Sequence, residues 1–230
     1  MRQWWTVPGK SGGLLELRDV DPPSPGPGQM LIAVGAAGVN RGELIARSAQ
    51  RIDNPAARPR RSGIECAGKV LQLGETVAGY VIGDRVMARA SACHAEITCI
   101  DADAAMRIPD HLDFAQAAAV PNAFVTAHDA MITNARFTKG EKVLVTAGSS
   151  GVGTAAIQIA AFLGAGQIIA STRNPDKSEL LQRLGATAVV VTGNSSWTTQ
   201  VQTLCGGVDV VIDQVGGELF PELMNCMSVG

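Results

Sequence analysis

Tyrosine is nearly absent. The chain has 230 residues and one tyrosine, Tyr80, and aromatics make up 4% of it. Tyr80 sits in a glycine-flanked turn and reads as structural, so no tyrosine stands out as a proton donor. The five cysteines (Cys66, Cys93, Cys99, Cys205 and Cys226) are scattered and contain no C-x-x-C pair. That excludes a disulfide framework and a cysteine-rich zinc site, and most of them read as buried free thiols. Charge is sparse: 17% of residues are charged and the net charge is −2, which gives no electrostatic case for nucleic acid or an anionic membrane. No apolar run reaches the length of a membrane span, and the opening MRQWWTVPGK lacks an apolar signal core. A cytosolic protein is expected. Hydrophobic residues make up 46%, enough for a full core and two modest domains, which excludes disorder.

The richest stretch is Lys142 to Ala161. Lys142 to Ala147 is a short Val- and Leu-rich run of strand length. It runs into Ala147-Gly-Ser-Ser-Gly-Val-Gly153, and a helical run opens at Thr154. Strand, glycine turn and helix together bind the pyrophosphate of a dinucleotide. Gly148, Gly151 and Gly153 allow a tight turn and close approach of the backbone. The N–H groups and positive end of the helix then meet the phosphate charge, with Ser149 and Val152 in the same turn. A strict G-x-G-x-x-G is absent, because Ser150 stands at the second glycine. Ser150 is small, and its hydroxyl is able to bond a phosphate.

From Met1 to about Asp110 the chain reads as β-rich. Leu14 to Leu17, Met30 to Val34, Cys66 to Leu73, Val81 to Val86 and Ala95 to Ile100 are short strand-like runs punctuated by glycine. Asp21-Pro-Pro-Ser-Pro-Gly-Pro-Gly is a rigid loop that no helix or central strand could contain. A small barrel-like β domain is expected. From Asp113 the pattern turns helical: Phe114 to Ala119, a break at Pro121, then Ala123 to Ile132. Beyond Lys142 strands and helices alternate: Val143–Ala147 then a helix from Gly151, Gln167–Thr172 then one from Pro175, Ala188–Thr192 then one from Ser196, and Val208–Asp213 then one from Gly217. This alternation predicts a parallel sheet with helices on both faces.

Six motifs stand in order: Pro25-Gly-Pro-Gly before a strand, Ala37-Gly-Val-Asn40, Gly63-Ile-Glu-Cys-Ala-Gly68, Gly83-Asp-Arg-Val86, Ala119-Val-Pro121 with Thr126-Ala127, and the glycine turn. In this order they resemble the medium-chain dehydrogenase/reductase superfamily, and within it the zinc-free quinone oxidoreductase branch. The resemblance covers essentially the whole chain. It implies an α/β protein with a GroES-like β-barrel substrate domain over 1–118 and a Rossmann dinucleotide-binding domain over 119–230. Zinc-dependent members carry a catalytic Cys, a His and a third ligand where this chain has Asn40, Ile64 and about Asn122. None of these is a good zinc ligand, and Glu65 alone cannot hold the metal. No bound metal is expected.

An NAD-preferring fold places an acid about 20 residues past the glycine turn. Here the second strand of the sheet ends in Ser171-Thr172-Arg173-Asn174, and Arg173 and Lys177 offer positive charge suited to a 2′-phosphate. NADPH is the expected cofactor. The resemblance adds Thr126 and the turn Val215-Gly216-Gly217 to its lining, and Asp213 is expected to fix that turn. The implied reaction is hydride transfer to a quinone or an enone, the small-molecule partner. The resemblance places Asn40 beside the nicotinamide to orient substrate. His94 lies in Ala92-Cys-His-Ala-Glu96, a segment the family usually writes Gly-Gly-x-Ala-Glu, and reads as packed or surface. Arg51, Arg58, Arg60 and Arg61 form a basic loop, expected to be solvated.

By the resemblance, the sequence stops just before the fifth strand of the nucleotide sheet, so a Rossmann domain incomplete at its C-terminus is expected. The fourth strand then becomes an apolar edge, which invites pairing with another chain; a homo-oligomer is one expectation. Three functions stay open: part of an NADPH-dependent quinone or enone reductase, a catalytically silent nucleotide-binding interaction module, and a zinc-free enoyl-thioester reductase.

Overall fold

The computed structural model describes residues 1–193 and 196–228. The chain forms two compact units, Met1–Asn122 and Ala123–Gly230.

The first unit is built from antiparallel strands in two sheets. One holds β1 (Arg2–Val7), β2 (Leu14–Asp19) and β4 (Arg60–Arg61), in the order β2-β1-β4. The other holds β3 (Gln29–Ala37), β5 (Glu65–Leu73), β6 (Arg85–Arg89), β7 (Ile97–Asp101) and β8 (Ala105–Arg107), in the order β7-β3-β5-β6-β8. Met30, Ile32, Val70, Val86 and Ile100 fill its core. Helix α1 (Arg41–Ser48) crosses between β3 and β4, and α2 (Phe114–Ala118) packs on β5 and β3. Asp113 caps α2 by accepting the N–H of Gln116 at 2.7 Å, while Gln116 Oε1 accepts the N–H of Asp113 at 3.0 Å.

Two expectations change here. The run Val81 to Val86 is a strand only from Arg85. Asp84 Oδ2 accepts the N–H of Val81 at 2.8 Å and closes a turn, leaving Val81 and Ile82 63% and 68% exposed. These residues are apolar, but their position is set by the turn. The run Ala95 to Ile100 is likewise strand only over Ile97–Asp101. Tyr80 is structural as expected: its hydroxyl donates to the Ala105 carbonyl at 2.7 Å, with Arg107 stacked 5.0 Å from its ring centroid.

The second unit is doubly wound. Helix α3 (Pro121–His128) starts on Pro121, which suits a first helical turn because its missing N–H needs no partner there. A π-helical turn, Asp129–Asn134, follows. Then β9 (Lys142–Val145), α4 (Gly151–Leu163), β10 (Gln167–Thr172), α5 (Ser178–Arg183), β11 (Ala188–Val191), α6 (Trp197–Cys205), β12 (Val210–Ile212) and α7 (Leu219–Met224) alternate. All pairings are parallel, in the order β11-β10-β9-β12. Successive residues of a strand face opposite sides of a sheet. Val143 and Val145 therefore join Ile157 and Ala160 of α4 in one core layer, while Leu144 joins Ile169, Trp197 and Leu223 in the other. No helix among the described residues is long and apolar enough to cross a membrane.

Candidate functional site

Candidate functional residues occur in each of the two units. In the second unit, β9 ends at the glycine turn. A Cβ on Gly153 would lie 2.5 Å from the Ala147 carbonyl oxygen and 2.8 Å from the Gly148 Cα and O. All three of these atoms are backbone, so this glycine is fixed by the packing of the turn on the helix. Gly151 differs: a Cβ there would meet only Ala123 Cβ, at 3.8 Å. Gly151 is thus left small with open space before it, as a position approached by a ligand is. The N–H groups of Gly151 and Val152, the first two of α4, have no partner among the described residues and remain free donors.

Ser150 is committed. Its Oγ accepts the N–H of Gly153 at 3.0 Å, capping α4, and donates to Gln214 Oε1 at 2.7 Å. Its own N–H donates to the Ala147 carbonyl at 2.8 Å. Neither donor of Ser150 is left for a phosphate, which corrects the expectation placed on the hydroxyl. Ser149 is exposed in the same turn. Gln214, which the motif did not point to, also donates through Nε2 to the Thr146 carbonyl at 3.2 Å, so it ties the turn after β12 to the turn after β9. Asp213 fixes its own turn: Oδ1 accepts the N–H of Val215 and Oδ2 that of Gly216, both at 3.0 Å. Gly216 and Gly217 follow with φ +63° each and open space around them.

Beside the glycine turn lies the end of β10, paired with β9 in register from Gln167 opposite Lys142 to Ala170 opposite Val145. The Gly148 N–H donates to the Ser171 carbonyl at 2.7 Å, which locks the two strand ends together. Thr172 is buried, and its Oγ1 accepts the N–H of Asn174 at 3.1 Å. Arg173 and Lys177 are exposed, and neither makes an ion pair among the described residues. Thr126 is exposed on α3, one turn past Ala123, the neighbour of Gly151. The open Gly151, the free N–H pair and the unpaired cations fit a phosphate-bearing nucleotide.

In the first unit, Asn40 sits just before α1 and belongs to a closed network. Asn40 Nδ2 donates to Glu65 Oε1 at 2.6 Å, and Asn122 Nδ2 donates to Asn40 Oδ1 at 2.9 Å. The Asn122 N–H donates to Glu65 Oε2 at 2.8 Å, and Arg89 Nε donates to Asn122 Oδ1 at 3.2 Å. The Asn40 N–H donates to Glu43 Oε2 at 3.0 Å. Glu65 is 3% exposed. A Cβ on Gly38 would overlap the Glu65 carboxylate, which explains the glycine of Ala37-Gly-Val-Asn40. The amide of Asn40 keeps one N–H to spare. Sequence reading had Glu65 only as a remnant of a metal set; it is the anchor of the network.

His94 is packed. Nε2 faces the Gly38 carbonyl at 3.0 Å, so that nitrogen carries the hydrogen, and Nδ1 accepts from Ser62 Oγ at 3.0 Å. The Cys93 thiol is buried and donates to the Ala90 carbonyl at 3.3 Å, and the neighbouring Cys66 thiol and burial push it above its ordinary range. Among the described residues no three His, Cys, Asp or Glu side chains are grouped to hold a metal.

Comparison with known proteins gives the family. A family model described as zinc-binding dehydrogenase matches residues 151–230. A mycobacterial protein solved in complex with NADPH is 30% identical, with a TM-score of 0.86, covering 100% of this chain and 71% of that one. The chain belongs to the medium-chain dehydrogenase/reductase superfamily. Another superfamily structure, the CurK enoyl reductase, is 26% identical with a TM-score of 0.87 over 99% of this chain and 71% of that chain. The mouse quinone oxidoreductase-like protein 2 is 33% identical over 217 residues, or 93% of this chain. The chain spans 62% of that mouse protein, and half or less of other curated relatives such as the mouse synaptic vesicle membrane protein VAT-1 homolog-like, at 50%.

Proposed function

We propose that this chain is the core of a cytoplasmic, metal-independent reductase that passes a hydride from NADPH to a quinone or another conjugated carbonyl. The observation that carries the choice of NADPH is the pair of unpaired cations, Arg173 and Lys177, just past the end of β10, where an NAD-preferring fold has an acid. When bound, the nicotinamide supplies the hydride.

The chain's own residues bind and orient. The N–H groups of Gly151 and Val152 receive the pyrophosphate, and the open turn at Gly216 and Gly217 lets the nucleotide lie close. Arg173 and Lys177 take the 2′-phosphate as charge-assisted hydrogen bonds. Asn40 donates its spare amide N–H to the substrate carbonyl oxygen, where negative charge develops, and Glu65 holds that amide in place. Metal independence follows from residue chemistry: Ile64 has no donor atom, and the amides of Asn40 and Asn122 bond each other. The hydroxyl of Tyr80 and both ring nitrogens of His94 are engaged, so the proton comes from solvent.

A second reading keeps the same chemistry but makes the acceptor an enoyl thioester; the likeness to an enoyl reductase favours it. The test is a titration of the wild type and of Arg173→Ala with NADPH and NADH, followed by nicotinamide fluorescence. The wild type is expected to prefer NADPH. Arg173→Ala should lose roughly tenfold or more in NADPH affinity while binding NADH unchanged, as expected for one charge-assisted contact. Equal binding of the two cofactors by the wild type rules out the NADPH assignment. Binding of NADPH without oxidation by quinones, enones or enoyl thioesters would leave a silent nucleotide-binding module.

A further inference from the structure

The first unit contains a cavity of about 630 Å³ that the network at Asn40 only borders. Its floor is one face of the β2-β1-β4 sheet. Thr6 lies between Leu15 of β2 and Arg60 of β4, and alternation puts Trp4 on the same face. Leu44 and Arg47 of α1 line it as well. Most of this surface is hydrocarbon, yet three arginines, Arg47, Arg60 and Arg61, border it. Arg61 pairs with Trp5, so alternation turns its side chain to the other face of the sheet, which leaves Arg47 and Arg60.

Both guanidiniums are anchored by Nε to neutral acceptors. Arg47 Nε donates to the Gly13 carbonyl at 3.0 Å. Gln50 is 4% exposed, and in the amide orientation that satisfies both its ends it donates to the Arg58 carbonyl at 2.9 Å and accepts from Arg60 Nε at 3.2 Å. The terminal nitrogens of Arg47 and Arg60 have no partner among the described residues, and neither residue is in an ion pair there. The only carboxylate of the lining, Glu43, is spent on the N–H groups of Asn40 and Gly63, at 3.0 and 3.2 Å. Arg51 is different, since Asp53 neutralises it. Two oriented, unneutralised forks over an apolar floor match an oxyanion attached to an apolar body.

We infer that this cavity selects substrates with an apolar body and an oxyanion at one end, carboxylate or phosphate monoester, held by Arg47 and Arg60. The inference rests on the reading of the first unit as the acceptor-binding unit. Calorimetry of the purified chain without cofactor tests it, with octanoate, octyl phosphate and octanol as probes. Each anion should bind at least about tenfold tighter than octanol, the scale of a charge-assisted contact, and the advantage should shrink as salt rises. Arg47→Gln and Arg60→Gln should each cut the advantage, the double variant should erase it, and Arg58→Gln should leave it intact. Whichever anion binds tighter identifies the end group. Equal affinity of the wild type for octanol and both anions overturns the inference, and needs no variant to fold. A second assay separates this result from the proposed reaction: NADPH oxidation by an enone bearing a terminal carboxylate against its methyl ester. Anion binding with no oxidation of either keeps the cavity assignment and removes the hydride transfer. Oxidation with equal KM for acid and ester does the reverse.

Discussion

Glu65→Gln should lower kcat by roughly 5- to 150-fold while leaving NADPH affinity unchanged, the range set by about 1–3 kcal/mol for a misplaced buried hydrogen-bond donor. The reason lies in the polarity of the network. Both oxygens of Glu65 face donors, Asn40 Nδ2 at 2.6 Å and the Asn122 N–H at 2.8 Å. Glutamine fits the space but must turn an NH2 toward one of them. The Asn40 amide then loses its fixed orientation, and the spare N–H no longer points one way. Glu65 acts through Asn40, so it is a positioning residue. A double-mutant cycle with Asn40→Ala distinguishes that role from general loosening. If Glu65→Gln costs nothing further in the Asn40→Ala background, the two act as one unit. If the costs add, or if NADPH affinity falls in step with kcat, the assignment is wrong. Gly38→Ala should reproduce the loss, because its methyl would enter the space of the carboxylate.

The second large effect is a contrast between two glycines of one motif. Gly153→Ala should destabilise the nucleotide-binding unit by about 1–3 kcal/mol, the range for forcing a methyl into packed backbone. For a unit of this size that lowers Tm by very roughly 5–20 °C. Gly151→Ala should leave Tm unchanged or slightly raised, since its methyl meets nothing nearer than 3.8 Å and alanine favours helix. Yet Gly151→Ala should weaken nicotinamide binding by tenfold or so, because the methyl fills the space a phosphate needs and shields two free N–H groups. Thermal melts and cofactor titrations on both variants give the answer. Undiminished binding by Gly151→Ala would place the phosphates elsewhere.

These two glycines also mark how far the sequence could be read. The order strand, glycine turn, helix is local, and the alternation after Lys142 fixes a parallel sheet, so β9, α4 and the parallel pairing of β11, β10, β9 and β12 were legible. The sequence could not tell Gly151 from Gly153, because their difference is made by the Ala147 and Gly148 backbone folding over one and not the other. Helix α1 escaped notice for another reason. Leu44 and Ile45 are 59% and 65% exposed and no residue of the helix is buried, so there is no apolar stripe to read. Its start is instead marked by Glu43 reaching back to the Asn40 N–H. The strand β1 was missed too, although it pairs along its whole length with the nearby β2, from Arg2 opposite Asp19 to Val7 opposite Leu14. Gln50 and Gln214 were invisible for a different cause. Neutral amides carry no motif, and their partners are distant in sequence or depend on the final fold.

The link between Ser150 and Gln214 has a consequence for how such a chain can change. If Gln214 is replaced first, the Ser150 hydroxyl loses its acceptor and the Thr146 carbonyl loses the Nε2 donor, two bonds in one step. If Ser150 becomes glycine first, Gln214 keeps its bond to Thr146, and the helix cap weakens by only a few tenths of a kcal/mol. The order of substitution therefore matters. A lineage that drifts toward the strict glycine fingerprint crosses position 150 before position 214, and the two positions should covary across descendants.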